Sequence, residues 1–222
     1  MNDKILVFVH IPKTAGASLT QIIRNNYPSH QIFSTSNPTL NTVSEINQNT
    51  KCIIGHNVFG QHQELGPQMH MTMLRDPIDR VISHYYYNKY VLKKNNIGSL
   101  EHFAQTDANA NLQTRYITGH EPNVDEAIEH LKTFAFFGIT EMFLPSLFLM
   151  KKTFGWKNIE YPKANVNAKR PKNESISKET IEQIKKENLL DIKLYQWAKT
   201  QLEQRLKSLD QKEKLELKSW IP

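Results

Sequence analysis

Residues 4–24 read KILVFVHIPKTAGASLTQIIR, and the fold of the chain turns on how this stretch divides. Ile5 to Val9 is a continuous apolar run, short and rich in β-branched residues. That is the pattern of a strand buried on both faces, as in a parallel sheet. The run stops at His10-Ile11-Pro12, and a turn of small residues follows: Lys13, Thr14, Ala15, Gly16, Ala17, Ser18. Leu19, Ile22 and Ile23 then recur at helical spacing. Strand, tight loop and helix in succession bring hydroxyls, a lysine and unpaired backbone N–H groups to one helix start. The positive end of the helix dipole lies there too, so the unit suits an anion. A turn whose small residues serve only close packing has the same local composition. The nucleotide-hydrolase loop G-x-x-x-x-G-K-[ST] does not fit, because Lys13 precedes Gly16 by three positions.

The rest of the chain supports a protein of this kind. Its 222 residues suffice for one α/β domain, read here as spanning 1–222, with 39% hydrophobic and 23% charged residues. No apolar run approaches the ~20 residues that span a bilayer, and the first strand follows the first residue almost at once, leaving no room for a signal peptide. The lone cysteine, Cys52, has no partner for a disulfide or a cysteine-based metal site, and Ile53 and Ile54 beside it suggest a buried thiol. Together these features predict a cytoplasmic protein with no membrane span and no metal. The charge of +6, from 28 Lys and Arg against 22 Asp and Glu, suits an anionic ligand without choosing one.

Two further strand ends carry chemistry. Lys51-Cys52-Ile53-Ile54-Gly55-His56 is a short apolar strand ending on a histidine. At the carboxyl end of a parallel strand His56 stands where open α/β folds place ligands. An imidazole titrating near pH ~6.5 can take a proton from a hydroxyl at neutral pH. A hydrogen-bonded structural histidine is the plainer alternative; His62 is the reserve candidate, and His10 is read as organising the loop. Met69 to Leu74 is strand-like, and Arg75-Asp76-Pro77 breaks it. Asp76 can cap the next helix with Pro77 at its first position. Ile78, Val81, Ile82 and Tyr85 form its apolar stripe, and Tyr85, Tyr86, Tyr87 and Tyr90 read as helix packing. Arg75 ends the strand, and Ser83 lies a little over two helical turns on. A guanidinium grips phosphate oxygens bidentately, and a hydroxyl completes the donor set.

The run His10-Ile11-Pro12-Lys13-Thr14-Ala15-Gly16 resembles the cofactor loop of carbohydrate sulfotransferases, especially the group containing heparan sulfate 2-O-sulfotransferase. Gly55-His56 followed by Val58-Phe59 resembles that group's Gly-His segment, whose histidine is the catalytic base. Leu74-Arg75-Asp76-Pro77, with Arg80 and Ser83-His84-Tyr85-Tyr86, resembles the second cofactor signature of the family. The resemblance is strongest over residues 5–90. It implies a P-loop NTPase-like sulfotransferase fold, a parallel sheet flanked by helices. It also implies transfer of a sulfuryl group from 3′-phosphoadenosine 5′-phosphosulfate (PAPS) to a hydroxyl, leaving 3′,5′-adenosine bisphosphate (PAP). His56 would be the base, and Lys13 would stabilise charge on the leaving phosphate. Thr14, Ala15, Gly16, Ala17 and Ser18 would hold the 5′-phosphate, and Arg75 with Ser83 the 3′-phosphate. The basic loop with Lys169 and Arg170 would fold over the nucleotide. The acceptor would be a hydroxyl-bearing molecule such as a glycan or glycolipid, not nucleic acid.

Later segments read more coarsely. Asn25 to Asn49 is polar, with a short strand at Gln31 to Ser34 and a helical turn near Val43 to Ile46. The helix from Asn111 to Tyr116 resembles a family segment that turns Gln113 and Arg115 toward the acceptor. Phe134 to Ile139 is another buried strand, with a helix from Thr140 to about Lys152. A closing helical region covers 177–209, where Asp191, Leu194, Tyr195, Ala198, Leu202, Leu206 and Leu209 form one long amphipathic helix. Two rival functions remain: a nucleotide kinase, which would share the sheet and anion loop and need magnesium, and a non-catalytic module binding nucleotides or acidic glycans, which would share the basic charge without needing His56.

Overall fold

Strand, loop and helix follow one another over residues 4–24 as the pattern requires. In a computed structural model that describes residues 4–35, 48–106, 108–161 and 175–220, β1 (Ile5–Val9) passes through a tight loop into α1 (Gly16–Asn26). The order continues β2 (Ile32–Thr35), β3 (Cys52–Gly55), β4 (Gln68–Leu74) and α2 (Pro77–Tyr90). Next come α3 (Leu100–Gln105), α4 (Leu112–Thr118), α5 (Val124–Thr133), β5 (Phe136–Ile139) and α6 (Phe143–Phe154). The closing region holds α7 (Lys178–Glu187), α8 (Leu189–Lys207) and α9 (Gln211–Trp220).

The strands form one five-stranded sheet in the order β2-β3-β1-β4-β5, every neighbouring pair parallel. β1 lies at the centre because it is the most continuously apolar: Leu6, Val7, Phe8 and Val9 are at most 1% exposed. Burying each such side chain contributes about 1.5–3 kcal/mol. Leu6 sits opposite Cys52 on one side and Met69 on the other, which fixes the register. All strands being parallel, Val9, Gly55, Leu74 and Ile139 end at one edge of the sheet. The residues that follow them, His10, His56, Arg75 and Thr140, gather there.

Several expectations shift in detail. His56 falls just beyond β3 and bridges Val9 in isolation. Asp76 caps α2 as its sequence suggests, accepting from the Asp79 N–H at 3.0 Å with Pro77 behind it. Thr140 and Glu141 form a 3-10 turn ahead of α6 rather than its first residues.

The long helix read over Asp191 to Leu209 is α8, ending at Lys207, with α7 before it and α9 after it. Asn188 ends α7 by donating its side-chain amide to the Ile184 carbonyl at 2.9 Å. Asp210 and Glu213 then open α9 with reciprocal bonds of 3.0 and 2.8 Å, a capping box. Trp220 docks α9 edge-on against Phe148 at 5.3 Å. The expected helical turn near Val43 to Ile46, and Lys169 and Arg170, lie outside the described residues. Among the described residues no helix is long and apolar enough to cross a membrane.

Candidate active site

The loop between β1 and α1 carries unusual backbone. Lys13 and Ala15 have φ of 72° and 65°, left-handed values that cost a non-glycine residue roughly 1–2 kcal/mol each. Ala15 stands at the N-cap of α1 without a side-chain cap, and no acidic residue occupies the first turn. The opening N–H groups of the helix are therefore left without a side-chain cap or an acidic neighbour in the first turn, an arrangement that suits an anion. The Thr14 hydroxyl is buried and donates to the Ile11 carbonyl at 2.8 Å, holding the loop's own shape. Ser18 is also buried, whereas Ala17 is exposed at the helix start.

His10 closes one flank of this loop. Its ring stacks on Phe8 at 5.1 Å and on His56 at 4.3 Å, making a column of three rings. It also lies over Gly16, where an added Cβ would stand 1.6 Å from His10 Nε2. Burial, with His56 and Lys13 nearby, pushes the His10 imidazole down to about 3, so it stays neutral. His56 is half-buried, and its Nδ1 lies 3.0 Å from the His10 main-chain oxygen. A carbonyl only accepts, so Nδ1 carries the proton, which in a neutral ring makes Nε2 the basic nitrogen. The reserve candidate His62 does not share this position. It is 6% exposed and bonded through Nε2 to the Asn57 Oδ1 at 3.1 Å, a structural histidine whose burial lowers its proton affinity.

Arg75 is the junction of the site. Its Nη1 donates to the Lys13 carbonyl at 3.2 Å, tying the end of β4 to the β1 loop. Its Nη2 meets Asp79 Oδ2 at 3.2 Å, and its Nε lies 3.9 Å from Glu141 Oε1. That Nε is buried and has no hydrogen bond among the described residues. Asp79, Ser83 and Tyr87 repeat at i, i+4 and i+8 along α2, so they share the helix face that meets the loop. Lys13 Nζ rests 3.7 Å from the centroid of the Tyr87 ring, a cation–π contact. Ser83 stands between these two contacts. Tyr87, read as packing, is thus where the loop lysine is parked.

Arg80, part of the same motif, is fully buried and donates to the Asn109 carbonyl at 2.8 Å. Gln113 and Arg115 do not meet the expectation that they turn to an acceptor. Gln113 is buried against the Arg75 main chain, and Arg115 pairs with Glu121 at 3.3 Å. Among the described residues no cluster of His, Cys, Asp and Glu could hold a metal ion.

The β1–α1 loop, His56 and the junction arginine Arg75 thus gather at the carboxyl edge of the parallel sheet of an α/β protein. The chain belongs to the sulfotransferase family, whose model matches residues 2–137. Heparan-sulfate 6-O-sulfotransferase 2 of Gallus gallus is 38% identical over 90 residues, 40% of this chain and 22% of that protein. Heparan-sulfate 6-O-sulfotransferase 3 of Homo sapiens is 37% identical over 82 residues, 37% of this chain and 17% of that one. The similarity thus covers about a fifth of these relatives' length. They are 6-O enzymes, so the carbohydrate sulfotransferase resemblance holds while its 2-O assignment is not supported. A mouse sulfotransferase, SULT7A1, solved in complex with PAP, aligns with 83% of this chain and 63% of its own at 17% identity and a TM-score of 0.44.

Proposed function

We propose that this chain is a PAPS-dependent sulfotransferase acting on a carbohydrate hydroxyl. The carrying observation is that β1, β3 and β4 deliver the Lys13 loop, His56 with its Nδ1 on the His10 carbonyl, and Arg75 to one sheet edge. The residues present fit the nucleotide: uncapped N–H groups at α1, two cationic side chains, and a buried Arg75 Nε lacking a hydrogen-bond partner among the described residues.

Bound there, PAPS would supply an activated sulfuryl group on its 5′-phosphate. The N–H groups from Gly16 onward would hold the 5′-phosphate, and Arg75 with Ser83 the 3′-phosphate. Lys13, released from Tyr87, would offset charge on the leaving phosphate side. His56 Nε2 would accept the acceptor hydroxyl's proton while Nδ1–H stays on the His10 carbonyl. Fixed donors and fixed orientation carry most of such catalysis. The relatives' names make a glycan 6-hydroxyl, rather than a 2-hydroxyl, the first acceptor to offer.

Calorimetric titration with PAP, with AMP, and with ATP plus magnesium tests the cofactor. Tight binding of PAP over AMP supports the reading; preference for ATP with magnesium, or no binding, overturns it. His56→Ala is expected to lower turnover at least about 100-fold while PAP affinity stays close to wild type. Near-normal turnover in that variant removes His56 from the mechanism.

A further inference from the structure

The turn at Arg75-Asp76 is gripped from both sides by side chains that reach it from later in the chain. On one side the Gln113 amide takes both main-chain groups of Arg75: Oε1 accepts from the N–H at 2.9 Å and Nε2 donates to the carbonyl at 2.8 Å. On the other side Glu141 Oε1 accepts from the Asp76 N–H at 3.0 Å and lies 3.9 Å from Arg75 Nε. Each grip is itself held from α8. The buried Asp191 carboxylate accepts from the Gln113 N–H at 3.0 Å and from the Thr114 N–H and hydroxyl, each at 2.7 Å. Tyr195 donates its hydroxyl to Glu141 Oε2 at 3.1 Å. Asp191 and Tyr195 are i and i+4 on α8, so a single helix face supports both grips. None of this serves the sheet, whose ladder ends at Leu74.

We propose that Gln113 and Glu141, set from α8 by Asp191 and Tyr195, are positioning residues that aim Arg75 and thereby determine selectivity for a 3′-phosphate. The proposal rests on the reading of Arg75 as the 3′-phosphate ligand. Arg75 has no freedom to re-aim by moving its main chain, because both its N–H and its carbonyl are occupied. Its guanidinium is oriented by Asp79, Glu141 and the Lys13 carbonyl. A guanidinium held in one orientation loses little rotamer freedom when it binds a planar pair of phosphate oxygens. Selectivity should then soften when the grip loosens, even with Arg75 intact.

The test compares PAP with AMP, which differ by the 3′-phosphate alone, on wild type, Arg75→Ala, Tyr195→Phe and Gln113→Leu. Tyr195→Phe removes one hydroxyl and Gln113→Leu both bonds to the Arg75 main chain. The PAP-to-AMP affinity ratio is expected to fall about three- to tenfold in Tyr195→Phe, and further in Gln113→Leu, with AMP affinity unchanged. A general loss of structure would instead weaken both nucleotides together. If Arg75→Ala abolishes selectivity but Tyr195→Phe and Gln113→Leu keep the wild-type ratio, the positioning role is overturned and the Arg75 assignment stands. If wild type does not distinguish PAP from AMP, or Arg75→Ala leaves the ratio intact, the Arg75 assignment falls and the inference with it. Should Gln113→Leu fail to fold, the milder Tyr195→Phe decides.

Discussion

Gly16 can hold no side chain while His10 stays where it is. A Cβ there would stand 1.6 Å from the imidazole, so Gly16→Ala must push His10 off His56. The expected cost is about 1–3 kcal/mol in urea unfolding, together with a loss of turnover exceeding the loss of PAP affinity. A variant as stable and active as wild type would show that the ring column is not needed. His10 also has a pH signature. Its proton affinity is lowered to about 3, and burial lowers those of His70 and His84 to about 4 each. These groups are neutral when folded, whereas the unfolded chain takes up protons below its ordinary histidine value. Stability should therefore be flat above pH ~6.5 and fall below it, continuing down toward the folded values near 4 and 3. The slope is on the order of 1 kcal/mol per pH unit for each neutral histidine, and urea midpoints between pH 7 and 5 read it directly.

Helix against helix, the most consequential arrangement is the exchange of caps between α4 and α8. Asn111, at the left-handed N-cap of α4, uses its side chain elsewhere: its Oδ1 accepts from the Leu190 and Asp191 N–H groups at 2.9 and 3.2 Å. In return Asn188 accepts from the Asn111 N–H at 3.2 Å, and Asp191 from those of Gln113 and Thr114. Each helix thus supplies what the other's start lacks. Asp191→Ala leaves three buried donors unpaired and should cost at least about 2 kcal/mol by chemical denaturation. A loss under about half that would mean water replaces the carboxylate. None of this was readable in advance, because a cap is looked for within a few residues of its helix and Asp191 lies 77 and 78 positions from the N–H groups it serves. One clue existed: a carboxylate standing in an otherwise apolar stripe.

For the molecule as a whole, what was legible follows from local rules. Apolar runs bounded by polar breaks located the strands, and Asp76-Pro77 located the start of α2. His56 and Arg75 could be singled out because each directly follows a strand, and Lys13 because it sits in the loop between β1 and α1; parallel strands bring all three to one edge. Side chains that meet across the fold left no such trace: Tyr87 under Lys13, Glu141 beside Arg75, and Thr14 turned inward on Ile11. Cys52 offers a probe of the whole. It is fully buried in β3 beside the central strand, and burial pushes its thiol well above the ordinary range. Disulfide-exchange reagents should modify it only at the rate of global opening, slowing with added PAP. Rapid labelling of the native protein would show that the β2–β3 side of the sheet opens on its own.

The grip on the Arg75 turn has a bearing on synthesis. The family model matches residues 2–137, which hold every described residue proposed here to touch the nucleotide. Yet Glu141, Asp191 and Tyr195, which hold that turn, come later. A ribosome releasing this chain from its N-terminus would expose the Lys13 loop, His56 and Arg75 well before α8 could lock them. Nascent chains halted short of residue 188 should not retain PAP on an affinity resin, and chains long enough to free α8 from the exit tunnel should. Ligand competence would then appear late in translation, as a single step.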